Sequence, residues 1–258
     1  MASRAFEISN LSLKIDKKKI FTDIHLTIPN GKVTAIVGPS GCGKSSFLSC
    51  LNRLITHCKG ATLSGHISCC GSDIDSLDET NLRQFRQKVG SLFQTPLPFP
   101  TTVLKNLYIP IDQHYQLSKQ EKFERAKTAL KDVGLWDEVK TRLNSPASEL
   151  SGGQKQRLCL ARALVLDPQV LLMDEPCSAL DPLSTAKVDE LIKNFKSRLT
   201  TVIVTHNIQQ AKRIADHVVV FWYDPLKGGH IIEHGSAEKV FTAPKHEYAR
   251  SYFAGALG

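Results

Sequence analysis

Gly38-Pro39-Ser40-Gly41-Cys42-Gly43-Lys44-Ser45 carries glycines, a lysine and a hydroxyl at the spacing G-x-x-x-x-G-K-S/T. Such a stretch lets the backbone curl until its N–H groups point inward at phosphate oxygens. The three glycines permit the curl. A helix starting near Lys44 adds the positive end of its dipole. Lys44 is placed to reach terminal phosphates, Ser45 to hold Mg²⁺ through its hydroxyl, and Ser46 follows in the same turn. A phosphate site of this kind needs a metal-holding carboxylate. Val170-Leu171-Leu172-Met173-Asp174-Glu175 is an apolar run ending in two carboxylates. Asp174 is expected to help hold Mg²⁺. Glu175 is expected to polarise an attacking water. Leu150-Ser151-Gly152-Gly153-Gln154 opens a helical pattern with a hydroxyl and two glycines, which reads as a second anion site.

These groups need elements to hold them. Residues 6–13 and 20–28 alternate apolar and polar side chains, as half-buried antiparallel strands do, with Lys17-Lys18-Lys19 read as the hairpin turn between them. Residues 33–37 are continuously apolar, as in a strand buried on both faces, and a helix is expected over 44–54. Pro96, Pro98 and Pro100 open a stretch of different texture, with helical periodicity over 118–132 and Gly134 as its stop. Strand 170–173, helix 183–198, strand 201–205, helix 207–215 and strand 217–223 complete an alternating pattern that predicts a parallel sheet. His230 and His234 stand four apart in a Gly-rich stretch, read as a surface loop.

Composition narrows the class. The 258 residues are 41% hydrophobic and 22% charged, which excludes a disordered chain. A net charge of +8 fits nucleic acid, an anionic membrane or anionic ligands without choosing among them. The longest apolar runs, 170–173 and 218–223, are far short of the ~20 residues that cross a bilayer. No secretory leader of the usual form opens the chain, so it reads as a soluble, cytosolic protein. Seven cysteines, an odd number without C-x-x-C, support neither a disulfide framework nor a zinc site. Cys42, between a helix N-terminus and an ammonium, is expected to have a lowered thiol pKa.

The stretch at 150–154, read with the phosphate loop and the paired carboxylates, resembles the signature of the ATP-binding cassette family. The resemblance spans residues 6 to about 245. It implies an α/β ABC ATPase fold in a single domain over 1–258. Residues 1–94 and 160–258 would form a RecA-like parallel core with an N-terminal antiparallel β subdomain, and residues 95–159 an inserted helical subdomain. It implies ATP and Mg²⁺ as cofactors. It also implies a head-to-tail homodimer in which each ATP lies between one chain's residues 38–46 and the other's Ser151, Gly152, Gly153 and Gln154. Gln94 resembles the glutamine that touches Mg²⁺ and the attacking water, Asp181 a residue of the loop crossing the dimer, and His206 the histidine that contacts the γ-phosphate. The family usually places an aromatic ring on adenine in the turn after the first strand. The matching position is Ile15, because Phe6 and Phe21 fall on core-facing strand positions.

One cassette, no long heptad run and no C-x-x-C favour a transport ATPase over a soluble cassette acting on nucleic acid. Phe93-Gln94-Thr95-Pro96, Leu51-Asn52-Arg53-Leu54 and Thr205-His206-Asn207-Ile208-Gln209-Gln210-Ala211 resemble the ATPase subunits of bacterial phosphate importers. Such subunits drive two membrane permeases fed by a solute-binding protein, from the cytoplasmic face of the membrane. A polar amino-acid importer is the alternative. The stretch 222–229 and the pair Thr101-Thr102 depart from the phosphate-importer pattern.

Overall fold

The structure, a computed structural model, describes residues 4–178, 180–196 and 198–255. The chain opens with β1 (Arg4–Ile15), β2 (Lys18–Pro29) and β3 (Val33–Val37), then α1 (Lys44–Leu51). Next come β4 (Ala61–Cys69), β5 (Ser72–Asp73), α2 (Glu79–Lys88) and β6 (Val89–Leu92). A helical stretch follows: α3 (Val103–His114), α4 (Lys119–Asp132), α5 (Trp136–Val139) and α6 (Gly152–Leu164). The alternating part comprises β7 (Val170–Asp174), α7 (Pro182–Phe195), β8 (Thr200–Val204), α8 (Ile208–Ile214) and β9 (His217–Asp224). It closes with β10 (Gly228–Ser236), α9 (Ala237–Thr242) and α10 (Glu247–Phe253).

The strands form one sheet in the order β5-β4-β1-β2-β10-β9-β3-β8-β7-β6. β9, β3, β8, β7 and β6 run parallel, whereas β1 pairs antiparallel with β2 and β4. A short parallel pairing at Gly229 and Phe21 joins the two halves. β3 and β8 are buried at every position because helices cover both faces. Successive β3 residues serve opposite sides: Val33, Ala35 and Val37 pack with the helical stretch, and Ile36 packs with α1 and the antiparallel strands. Phe47 on α1 sits with its ring 6.0 Å from Phe21 and 5.3 Å from Phe221. Burying each such ring is worth about 1.5–3 kcal/mol, which pins the helix behind the loop it follows.

Several sequence expectations shift. The first hairpin turns at Asp16 and Lys17, with Lys18 and Lys19 already in β2, because Asp16 takes the left-handed φ of 53° that the tight turn needs. α1 stops at Leu51 rather than 54, since Arg53 is left-handed (φ 61°) and opens a 3-10 turn over Leu54–His57. α7 ends at Phe195 rather than 198. His230 and His234 lie on β10, paired antiparallel with Trp222 and Val219 of β9, and not in a loop.

Candidate active site

The phosphate loop leaves the C-terminal edge of β3, where an open α/β sheet offers its crevice. Gly38 has φ +145°, and a Cβ there would meet the Phe221 carbonyl oxygen at 2.1 Å, so only glycine fits. Gly43 caps α1 with φ +98°. Pro39 is partly covered, Ser40, Gly41 and Ser45 are open to solvent, and Ser46 is half-buried. Lys44 is buried, its ammonium donating to the carbonyls of Gly38 and Pro39 at 2.7 Å each. The loop's back is closed by the β9–β10 hairpin. A Cβ on Gly229 would meet the Cys42 carbonyl oxygen at 2.1 Å, and Thr22 Oγ1 donates to the Lys227 carbonyl at 2.7 Å.

Cys42 departs from expectation. Its side chain is fully buried among Phe21, Phe47 and neighbouring apolar residues, and burial pushes its thiol above the ordinary value despite the opposing pull of Lys44. Desolvating a thiolate outweighs one nearby cation here.

Parallel pairing of β7 with β8 and of β8 with β3 brings Asp174, Glu175 and His206 beside the loop. Ser45 Oγ donates to Asp174 Oδ1 at 2.9 Å. Burial and the charge of Glu175 push the Asp174 carboxyl up, while Ser45 and Lys44 pull it down. A hydroxyl and a half-buried carboxylate held together at one edge are hard oxygen donors of the type Mg²⁺ takes, so the residues present fit that ion. Glu175 is left-handed (φ 48°), and its amide donates to the Val204 carbonyl at 2.9 Å. That bend turns its side chain, 13% exposed, toward His206. Glu175 Oε2 lies 2.6 Å from His206 Nδ1, and Oε1 accepts from the His206 amide at 3.1 Å. The two residues hold each other's orientation.

The remaining site residues lie elsewhere. Ser151 caps α6 in a reciprocal box: its hydroxyl accepts from the Gln154 amide at 3.3 Å, and Gln154 Oε1 accepts from the Ser151 amide at 3.1 Å. Exposed Gly152 and half-buried Gly153 form the start of this helix, with Gly153 against Ser184 of α7. Asp181 caps α7, accepting from the Ser184 hydroxyl at 2.6 Å and from the amides of Ser184 and Leu183 at 3.0 and 2.9 Å, and these bonds, the hydroxyl first, hold its carboxyl below the usual range. Gln94 is exposed just past β6. Ile15 is half-buried at the end of β1, opposite Lys18 and Ala61.

Sequence reasoning missed the brace behind Gln154. Arg157 clamps Glu138 with contacts of 2.8 and 3.0 Å, and Glu138 Oε2 accepts from Gln154 Nε2 at 2.9 Å. A bidentate Arg–carboxylate pair is rigid and directional. The glutamate lies 19 positions away on α5, so no local pattern announces it.

Two phosphate-shaped helix starts and a sheet edge carrying paired carboxylates define a nucleotide-hydrolysing cassette. The ABC transporter family matches residues 21–178, and the chain belongs to it. Among its relatives, the phosphate import ATP-binding protein PstB 1 of Nitrosococcus oceani is 45% identical over 251 residues, covering 97% of this chain and 90% of that protein. The phosphate import ATP-binding protein PstB of Tropheryma whipplei (strain Twist) is 44% identical over 258 residues, covering 98% of both. Among solved structures, cbiO1 from Clostridium perfringens, part of the ABC transporter complex cbiONQ, superposes with a TM-score of 0.80 at 28% identity, covering 93% of this chain and 92% of that one. A dimeric ATP-binding cassette in a post-hydrolysis state bound to ADP and Pi gives 0.76 at 30% identity, covering 90% and 98%.

Proposed function

We propose that this chain is the ATP-hydrolysing subunit of an importer for inorganic phosphate, working as a head-to-tail homodimer that drives two membrane permease subunits. The observation that carries the chemistry is the Ser45–Asp174 contact at 2.9 Å beside the Glu175–His206 pair at 2.6 Å. The solute is supported by the likeness to phosphate-import subunits over 97–98% of the chain. A solute-binding protein would deliver phosphate to the permeases, and no nucleic acid takes part. No helix among the described residues is long and apolar enough to cross a membrane, so the permeases would hold this subunit at the cytoplasmic face.

In this reading the amides of residues 38–46 and Lys44 bind the ATP phosphates. Ser45 and Asp174, with Gln94, hold Mg²⁺, which when bound neutralises charge on the phosphate oxygens. Glu175 takes a proton from the attacking water. His206, oriented by Glu175, meets the γ-phosphate. Ser151, Gly152, Gly153 and Gln154 of one copy close on the ATP held by the other, with Asp181 at the crossing and Ile15 against adenine. The helical segment 95–159 is the part that moves against the core. Phe93, Leu97, Phe99 and Ile109 expose apolar surface at its edge, with the Arg162 guanidinium 4.3 Å from the Phe99 ring centre. A cavity of about 360 Å³ lined by Phe93, Phe99 and Pro110 offers a seat for a permease helix.

Glu175→Gln tests the site. It keeps the shape and removes the base, so ATP should still bind while hydrolysis falls at least ~100-fold. An ATP-bound dimer should then accumulate on size exclusion. Near-normal turnover would remove Glu175 from the reaction. For the solute, cells lacking this subunit should lose uptake of radiolabelled phosphate and keep uptake of polar amino acids; the reverse result overturns the phosphate assignment.

A further inference from the structure

Gln210 lies on the first turns of α8, is 1% exposed, and joins three separate segments. Its Oε1 accepts from Thr205 Oγ1 at 2.9 Å. Its Nε2 donates to Asp189 Oδ1 of α7 at 2.8 Å and to Cys177 Sγ at 3.1 Å. Its backbone amide donates to Asn207 Oδ1 at 2.9 Å. Asp189, 5% exposed, is held from outside by Arg213, whose Nε and Nη2 reach Oδ2 at 2.9 and 2.7 Å.

The arrangement has one polarity. Arg213 fixes Asp189 as an acceptor, so Gln210 must present its NH₂ there and its oxygen to Thr205. Thr205, 2% exposed, must then point its proton at Gln210 and its lone pairs at the Asn207 amide, 3.1 Å away. Thr205 and Asn207 flank His206, which with Glu175 forms the reacting pair. Cys177 follows Glu175 closely, and α7 begins at the Asp181 cap. One buried amide therefore sets the place of His206 relative to the loop that faces the partner. We propose that Gln210 is a positioning residue for hydrolysis, which locks the His206 turn, the segment after Glu175 and α7 into one rigid unit. No other neutral side chain of this length offers a donor and an acceptor in that order. The inference rests on the roles given to Glu175 and His206 above.

Two variants test it in the full chain. Gln210→Met keeps volume and leaves the Asp189–Arg213 pair intact. Hydrolysis at saturating ATP should fall on the order of 10- to 100-fold, the scale of a misplaced catalytic group. KM for ATP should stay within about 2-fold, because the phosphate loop is untouched. Gln210→Glu keeps the acceptor toward Thr205 but sets a carboxylate against Asp189. The titratable and charged groups around it are Asp189 and Cys177 in contact, Arg213 behind Asp189, and Glu175 and His206 on the lining of the same cavity. Acidification returns a proton that the side chain at 210 donates to Asp189, so the variant-to-wild-type ratio of kcat should recover as pH falls from about 8 to about 6. A folded Gln210→Met enzyme with kcat within about 2-fold of wild type overturns the inference. So does a loss that merely follows the unfolded fraction, or a Gln210→Glu ratio that is flat with pH. Glu175→Gln is measured in parallel. If it turns over normally, the reading of the site fails; if it is inactive while Gln210→Met is active, only the positioning role fails.

Discussion

Cys42 shows how far a residue's neighbours in space can reverse what its neighbours in sequence suggest. The helix start and Lys44 favour a thiolate, but the side chain points into the core and burial raises its pKa. Cys58 and Cys70 are the exposed thiols among the described residues. Brief treatment of the native protein with a maleimide should therefore modify Cys58 and Cys70 at least ~10-fold faster than Cys42, because reactivity follows thiolate character and access. Peptide mass mapping reads the order; early labelling at Cys42 would contradict the buried placement. Ile15 is the other residue with a prediction of its own. An aliphatic side chain forgoes ring stacking worth about 0.5–1.5 kcal/mol. Ile15→Tyr should tighten ATP roughly 2- to 10-fold. It should leave kcat nearly unchanged, since stacking is equal in ground and transition states. The wild-type chain should discriminate poorly between ATP and GTP. Parallel titrations decide, and an unchanged affinity would mean that the base lies elsewhere.

At the scale of the element, the start of α6 serves two ends. Ser151 completes the helix cap, and in the proposed dimer it also faces the other copy's nucleotide. Ser151→Ala loses the cap and the hydroxyl offered to the other copy's nucleotide but leaves the helix-start amides open to phosphate. It should cost about 1 kcal/mol of stability and lower hydrolysis only in part. Ser151→Arg loses the same cap and adds bulk where phosphate must dock. Both variants should melt somewhat earlier and still bind nucleotide through their own residues 38–46, but only Ser151→Arg should abolish hydrolysis. Wild-type specific activity should rise with protein concentration as dimers form. An enzyme whose rate is strictly proportional to concentration and indifferent to Ser151→Arg has no shared site. The Glu138–Arg157 clamp explains why this helix start tolerates two glycines: the second turn is held from α5.

Across the whole molecule, β9 and β10 stack His217 on His234 with ring centres 5.8 Å apart. His217 Nε2 is buried without a hydrogen-bond partner, while neighbouring Asp216 is engaged by Lys196 at 2.9 Å. Burial first, and His234 second, hold the His217 pKa below its ordinary 6.5. The folded protein therefore resists a proton that the unfolded chain accepts. That stability is fully present above pH 6.5 and is lost as pH falls toward the depressed folded value. The thermal midpoint should drop on acidification below this point, and His217→Leu should flatten that slope. An equal slope in both proteins would assign the effect to other groups.

The local motifs were legible because each is set by backbone chemistry within a few residues. The phosphate loop needs glycines and a lysine at fixed spacing, and β7 needs an apolar run ended by carboxylates. Helix caps such as Ser151 follow from unpaired amides, and buried strands such as β3 from continuous apolar runs. The Ser45–Asp174 pairing across 129 positions was legible from their shared Mg²⁺ chemistry. Residues joined only by tertiary packing were not legible: Gln210 of α8 meets Asp189 of α7, 21 positions away, through a helix contact that no local pattern encodes. The turn at Asp16, the early end of α1 and the strand under His230 and His234 depended on left-handed residues and cross-strand partners. Sequence alone determined which chemistry the side chains offer. Tertiary structure decided which of them share a dielectric environment and a hydrogen bond, because burial and long-range pairing set pKa and orientation and neither is a property of neighbouring residues.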